Sequence, residues 1–287
     1  MISGERTEDL PAHDWLDWPD TMRESKEGYS IMYDIEMMTT TEEFFDCWRA
    51  AAMHLDGQET EHPLRWLKSE LSPPYLEHLS FVLGNQAFYI HVVDVDGEVT
   101  GPGTMRGLQF IAEGCNGYCC VMPMKRGADG WKPVHPGWGL LNKEDMSPLS
   151  PPDLVTDEKI VMTDWEVHDS AVQFVCQILQ QEGRKITTRQ GSPDVDPAIW
   201  FEGDDGLEWV VVRAARYPNP EPKIPDNWDK LVERCSELSQ VGNFACVIVT
   251  NPEDHTLPLW RGEQMNAWFE GLEKPDSSND NDSCDDE

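Results

Sequence analysis

Positive charge is what this chain has least of. Only 22 Lys and Arg stand against 54 Asp and Glu in 287 residues, a net charge of −32. Such a surface repels phosphate backbones, which excludes duplex binding through an extended basic face, and it repels anionic membrane surfaces in the same way. Long apolar runs are missing too. No window approaches the eighteen or so uninterrupted apolar residues of a membrane span, and the first residues lack the basic region and apolar core of a secretory signal. Paired Cys-x2-Cys knuckles are absent: the eight Cys are scattered, with Cys176, Cys235 and Cys246 inside apolar stripes, where a reduced thiol packs as a small hydrophobe. That usage is expected of a cytoplasmic protein rather than of a disulfide framework. A Gly-x-Ser-x-Gly elbow, a Walker-type phosphate loop and a dinucleotide fingerprint are likewise missing, which removes the most recognisable enzyme classes.

What is there is acidity in both halves and enough apolar residues to fold. Residues 1–150 hold 25 acids against 11 bases, and residues 151–287 hold 29 against 11. One reading of this charge is the solvated surface of an acidic bacterial or salt-adapted proteome. The other is a surface shaped to occupy a cationic site on a partner. The apolar fraction of 39% with 12 Trp supports compact structure, and the length suits two α+β domains. The Pro- and Ser-rich stretch at 146–160 divides a domain over 1–145, with a Trp-rich arm containing Trp15 and Trp18, from a second over 161–272. Residues 273–287, with seven acids and one base, are expected to be a disordered acidic tail.

In the first domain, Tyr29 to Glu36 reads as a strand. Thr41 caps a helix whose apolar residues Phe44, Phe45, Trp48, Ala51, Ala52 and Leu55 recur at three and four. A second helix is expected from Pro63 to Leu71. Leu79–Leu83 and Ala87–Val95 form a hairpin about Gly84-Asn85, and Met105 to Glu113 a short helix. Cys115, Cys119 and Cys120 are the one local candidate for zinc. Their spacing instead favours a turn into a buried strand at Tyr118–Met124, followed by a further strand ending near Leu141.

The second domain is more sharply marked. Thr163 and Glu166 form a capping box, and a stripe through Val167, Ala171, Phe174, Val175 and Ile178 runs to a stop at Gly183. Strands follow at Ile186–Arg189, Ala198–Glu202 and Glu208–Ala214, the last two joined through Gly203-Asp204-Asp205-Gly206. The run Trp209 to Val212 is apolar on both faces and belongs at the centre of a sheet. A helix with the stripe Trp228, Leu231, Val232, Cys235 and Leu238 precedes a buried strand at Phe244–Val249, and Met265 to Leu272 adds a strand of undetermined partner.

This αβββαβ order over residues 165–250 resembles the core of the PD-(D/E)xK restriction-endonuclease-like nucleases. The resemblance implies Mg²⁺ held by an Asp ahead of or on the second strand and by an acid on the third, with a Lys two residues beyond. Carried onto this chain, Asp194 or Asp196 fits the first position, Val211 stands where the second acid belongs, and Arg213 replaces the Lys. Valine cannot ligate a metal, and Arg is a poor proton acceptor. Glu208 lies three residues from Val211, on the opposite face of an ideal strand, and Glu182 late in the first helix is a possible migrated carboxylate.

Three functional expectations result. The first is a binding protein without catalysis, of the inhibitor or immunity type, engaging a basic protein partner through Asp204, Asp205, Glu208, Trp15, Trp18 and Trp260, without cofactor. The second is a Mg²⁺-dependent nuclease using Glu182, Asp196, Glu208 and Arg213. The third is a structural adaptor docked through its Trp-rich segments. Each residue also has a plainer role: Asp194 and Asp196 as turn formers beside Pro, Arg213 as the partner of Asp196 or Glu208 in a structural ion pair, and Asp169, beside His168, as a solvated surface acid.

Overall fold

The computed structural model describes residues 41–68, 78–101, 105–204 and 206–275. The expected strand at Tyr29–Glu36, the Trp15 and Trp18 arm, Asp205 and most of the acidic tail lie outside these residues.

The fold is α+β in two parts. In the N-terminal part, α1 (Glu42–Asp56) starts on Thr41, whose hydroxyl accepts from the Phe44 amide at 3.2 Å, and it buries Phe44, Trp48, Ala51 and Leu55. These side chains face one side of a seven-stranded sheet built from β1 (Leu64–Lys68), β2 (Leu79–Leu83), β3 (Gln86–Asp94), β4 (Tyr118–Gly127), β5 (Gly130–Pro133), β6 (Leu140–Asn142) and β7 (Pro148–Leu149). α2 (Met105–Gly114) carries the parallel crossover from β3 to β4 and packs Leu108, Ile111 and Ala112 onto the opposite side.

Two expectations change here, and the cysteine cluster is placed. The helix expected from Pro63 is instead strand β1, antiparallel to β2. The segment is too short to repay helix nucleation alone, while pairing places Leu64 and Trp66 against the α1 core and Leu67 on the other side. The stretch expected to be a linker is structured: β7 extends the first sheet, a 3-10 turn comes next at Pro151–Leu154, and Leu149 and Pro151 are buried. Cys115, Cys119 and Cys120 do not converge, because Cys120 joins the α1 core while Cys115 and Cys119 lie with α2.

The C-terminal part is a five-stranded sheet in the order β12-β11-β10-β9-β8. α3 (Asp164–Gln181) begins on the expected capping box and ends at Gly183, whose φ of +84° is the left-handed stop. β8 (Lys185–Arg189), β9 (Ile199–Glu202) and β10 (Leu207–Arg216) pair antiparallel. α4 (Trp228–Cys235) then leads to β11 (Gly242–Thr250), parallel to β10. The last helix stops before Leu238, which is 52% exposed. The partner of the added strand, β12 (Asn266–Phe269), is β11, in antiparallel register.

Strand alternation divides this sheet's side chains between two layers. Val210, Val212, Ala245, Val247 and Val249 meet α3. Trp209, Val211 and Phe244 meet Trp228, Leu231 and Cys235 of α4.

The two parts meet at the start of α3. Trp165 packs among Val82, Tyr89, Leu108 and Cys115, and a Cβ on Gly114 would lie 2.1 Å from its ring, so only Gly fits there. Beside it the buried Arg261 donates to both oxygens of Glu166, at 2.6 and 3.0 Å, and to the carbonyls of Cys115 and Asn116, at 2.5 and 3.1 Å. One guanidinium thus neutralises a buried carboxylate and meets carbonyls at the C-terminal end of α2, where the helix dipole favours a cation.

Candidate functional site

Asp196, Val211 and Arg213 come together on the α4 side of the sheet. Arg213 is two residues beyond Val211 on β10 and shares its face. Its Nη1 donates to Asp196 Oδ1 at 2.8 Å and its Nη2 to Asp196 Oδ2 at 2.5 Å. The Asp196 side chain is 4% exposed and that of Arg213 26%. This bidentate fork engages both carboxylate oxygens, so Asp196 is committed to an ion pair. Nearby, the Cys235 thiol is pushed up to about 11 by burial, against a lowering by Arg234 and with a smaller rise from the Asp196 charge.

Val211 has no exposed surface and packs under α4 with Trp209, Trp228 and Leu231. Burying a valine there contributes about 1.5–3 kcal/mol. A carboxylate at this position would face apolar side chains without water, at a cost larger than that gain. The position at which the resemblance expects a second acid is therefore filled by core.

The other carboxylates of the metal-dependent alternative lie elsewhere. Glu208 accepts from Asn243 Nδ2 at 3.1 Å, on the face that carries Val210 and Val212. Glu182 caps the C-terminus of α3 and is exposed. Both sit near Arg184, whose guanidinium is raised first by its hydrogen bond to Asp204 and further by Asp204, Glu208 and Glu182 charges. Glu182 and Glu208 thus stand on the α3 side while Asp196 stands on the α4 side, and the three do not converge. Among the described residues no group of three His, Cys, Asp or Glu is arranged to hold a metal ion. Glu182, Asp196 and Glu208 therefore offer no common position for Mg²⁺.

The residues expected to bind a partner are also placed. Asp204 is paired with Arg184, which donates to both of its oxygens, and its carboxyl is held below the usual range by that hydrogen bond and charge. Trp260 is half-buried, with Lys159 Nζ 5.5 Å from its ring centre, and it bridges to Val161. It is therefore an internal clasp more than an open docking residue. His168 is buried, with Nδ1 3.0 Å from the Gly191 carbonyl and Nε2 3.1 Å from the Val212 carbonyl. Asp169 accepts from Gln173 at 2.7 Å, so these neighbours serve different contacts.

Sequence reading missed two features. One is Arg261, a lone base in an acidic segment, whose burial depends on a contact 95 residues away in the chain. The other is the open part of the α4 face. α4 is eight residues long and covers β9, β10 and the start of β11, leaving Cys246, Ile248, Thr250 and Trp268 to line a groove of about 940 Å³. Trp268 is 69% exposed. The available signal was β11 itself, apolar on both faces beside a helix too short to cover its whole length.

A family model for a domain of unknown function (DUF8840) matches residues 165–275. That span begins at the second residue of α3 and ends just past the bridge between Phe244 and Glu273, so it coincides with the C-terminal sheet and its helices. Neither the curated proteins nor the solved structures include a match.

Proposed function

We propose that this protein is an acidic binding protein without catalysis, of the inhibitor or immunity type, whose C-terminal part is a nuclease-like scaffold lacking the metal chemistry. The element order α3-β8-β9-β10-α4-β11, with β10 and β11 parallel and a helix on each side, supports the resemblance to the PD-(D/E)xK core. The observation that carries the functional reading is the Asp196–Arg213 pair beside the buried Val211. Of the acidic positions that the resemblance requires, one is neutralised by a guanidinium and the other is a core valine.

The net charge of −32 supplies the alternative use of the scaffold. It favours a basic protein partner, accelerates encounter with it through long-range attraction, and selects against nucleic acid. A pull-down from native cells tests this. The captured partner is expected to be strongly basic, with a pI above about 9, and to be released by salt, because surface charges are screened within about 3 Å at 1 M. Reversal of surface acids should weaken capture and Asp196→Ala should not. Metal-dependent DNA cleavage that is lost in Asp196→Ala would overturn the reading.

A further inference from the structure

We infer that the open part of the α4 face, between β11 and β12, is the surface that receives a partner segment bearing Lys or Arg side chains between large apolar ones. The inference rests on the proposed binding function and names its contact site.

The floor of the groove is the outward face of β11. Phe244, Cys246 and Ile248 alternate with Ala245, Val247 and Val249, which are committed to α3. The far wall is β12 and the turn beyond it. Trp268 stands opposite Ile248, on the same side of the sheet, and its indole is largely in water. An exposed tryptophan over an apolar strand face is a ready anchor for a partner side chain.

The backbone beside Trp268 is shaped by a bulge. Val247 pairs with Phe269 and Phe244 pairs with Glu273, so three residues, Glu270 to Leu272, oppose two on β11. Gly271, with φ +116°, allows it. The bulge brings Glu270, Leu272 and Glu273 into the wall, and Glu221 contributes from the segment after Tyr217. The three glutamates act together on the floor: the Cys246 thiol is raised by burial and then by Glu221, Glu270 and Glu273. Among the described residues, no Lys or Arg lines the groove. Its chemistry is an apolar floor under an acidic rim, complementary to a segment that is apolar on one side and cationic at its tips.

Net charge opposes the occupants this molecule could supply itself. Residues 1–40 carry ten acids and three bases, and residues 276–287 carry six acids and no base. A second copy brings another −32. Each would set like charges against Glu221, Glu270 and Glu273, which favours a basic partner protein as the occupant.

Fluorescence anisotropy on the full-length chain tests the site, using three labelled twelve-residue peptides: Lys alternating with Leu and Phe, Lys alternating with Gly, and Glu alternating with Leu and Phe. The first is expected to bind in a salt-sensitive manner, more tightly than the second, with the third inert. Trp268→Ala and Glu270→Lys should each weaken the first peptide by about tenfold, the scale of losing one anchor, whereas Glu61→Lys, an exposed reversal in the N-terminal part, should not. Trp268 is exposed enough that its removal leaves the fold intact, which circular dichroism checks. Equal binding of both Lys peptides, or equal loss in Glu61→Lys and Glu270→Lys, overturns the groove while leaving the general acidic-surface reading standing. Absence of binding by either Lys peptide overturns both.

Discussion

The two faces of the C-terminal sheet are built from the same strands and treated differently. On one, an 18-residue helix lies across the sheet and its side chains meet strands from β8 to β12. On the other, an eight-residue helix covers the centre and stops. Adjacent residues of β11 therefore have opposite fates: Val247 is fully buried under α3, and Ile248 lines the open groove. The closed face specifies the fold. The half-open face carries both the Asp196–Arg213 pair and the uncovered apolar strip, and the proposed binding is assigned to it.

Substitutions test that contrast, beginning with the buried pair at the start of α3, where the two parts meet. Glu166→Ala strands the buried Arg261 without its carboxylate, and removing one member of a buried pair costs about 3–5 kcal/mol. Urea denaturation should register this as the largest single loss, with a lowered midpoint. Arg213→Ala does the same to Asp196 on the α4 face but with a guanidinium 26% exposed, so a loss of about 2–3 kcal/mol is expected once solvent screening is allowed for. The double variant Asp196→Asn/Arg213→Met should recover most of it. A result in which Arg213→Ala alone is neutral would remove the structural role assigned to the pair.

The neighbouring strand residues Val247 and Ile248 should differ in the same way at smaller amplitude. Val247→Ala deletes two buried methyl groups and leaves a cavity, worth about 2–3 kcal/mol. Ile248→Ala, one residue away, should cost under about 1 kcal/mol, since its surroundings remain partly wet. Trp268→Ala should fall within about 0.5 kcal/mol of the parent in the same titration, as exposed substitutions usually do, while still weakening capture of a basic partner. Should Ile248→Ala prove as damaging as Val247→Ala, the groove is better packed than described and the distinction between the faces fails.

Much of this architecture was legible in the sequence, unevenly. The capping box at Thr163, the stop at Gly183 and the hairpin around Gly203 depend on local chemistry, and each formed as read. The two-sided apolar run at Trp209 to Val212 placed β10 at the centre of the sheet because both its faces must be buried. β1 was misread because five residues with Leu64, Trp66 and Leu67 satisfy either period, and only pairing with β2 decides. The Pro-rich stretch at 146–160 looked like a linker because β7 is two residues long, too short to show alternation. Within the site, the burial of Val211 was readable from the two-sided apolar run, whereas the partner of Arg213 stood open between Asp196 and Glu208 until the fold placed Asp196 against it. Arg261 and the groove were not, since one depends on a distant contact and the other on what α4 fails to cover.

If Asp196 serves an ion pair instead of a metal, the proposed function without catalysis stands. Calorimetric titration of the full-length protein with Mn²⁺, in the presence and absence of a DNA oligonucleotide, addresses this most directly. No stoichiometric Mn²⁺ binding, no cleavage of the oligonucleotide, and the same behaviour in Asp196→Ala are expected. One-to-one Mn²⁺ binding that disappears in Asp196→Ala, accompanied by cleavage, would contradict the proposed function.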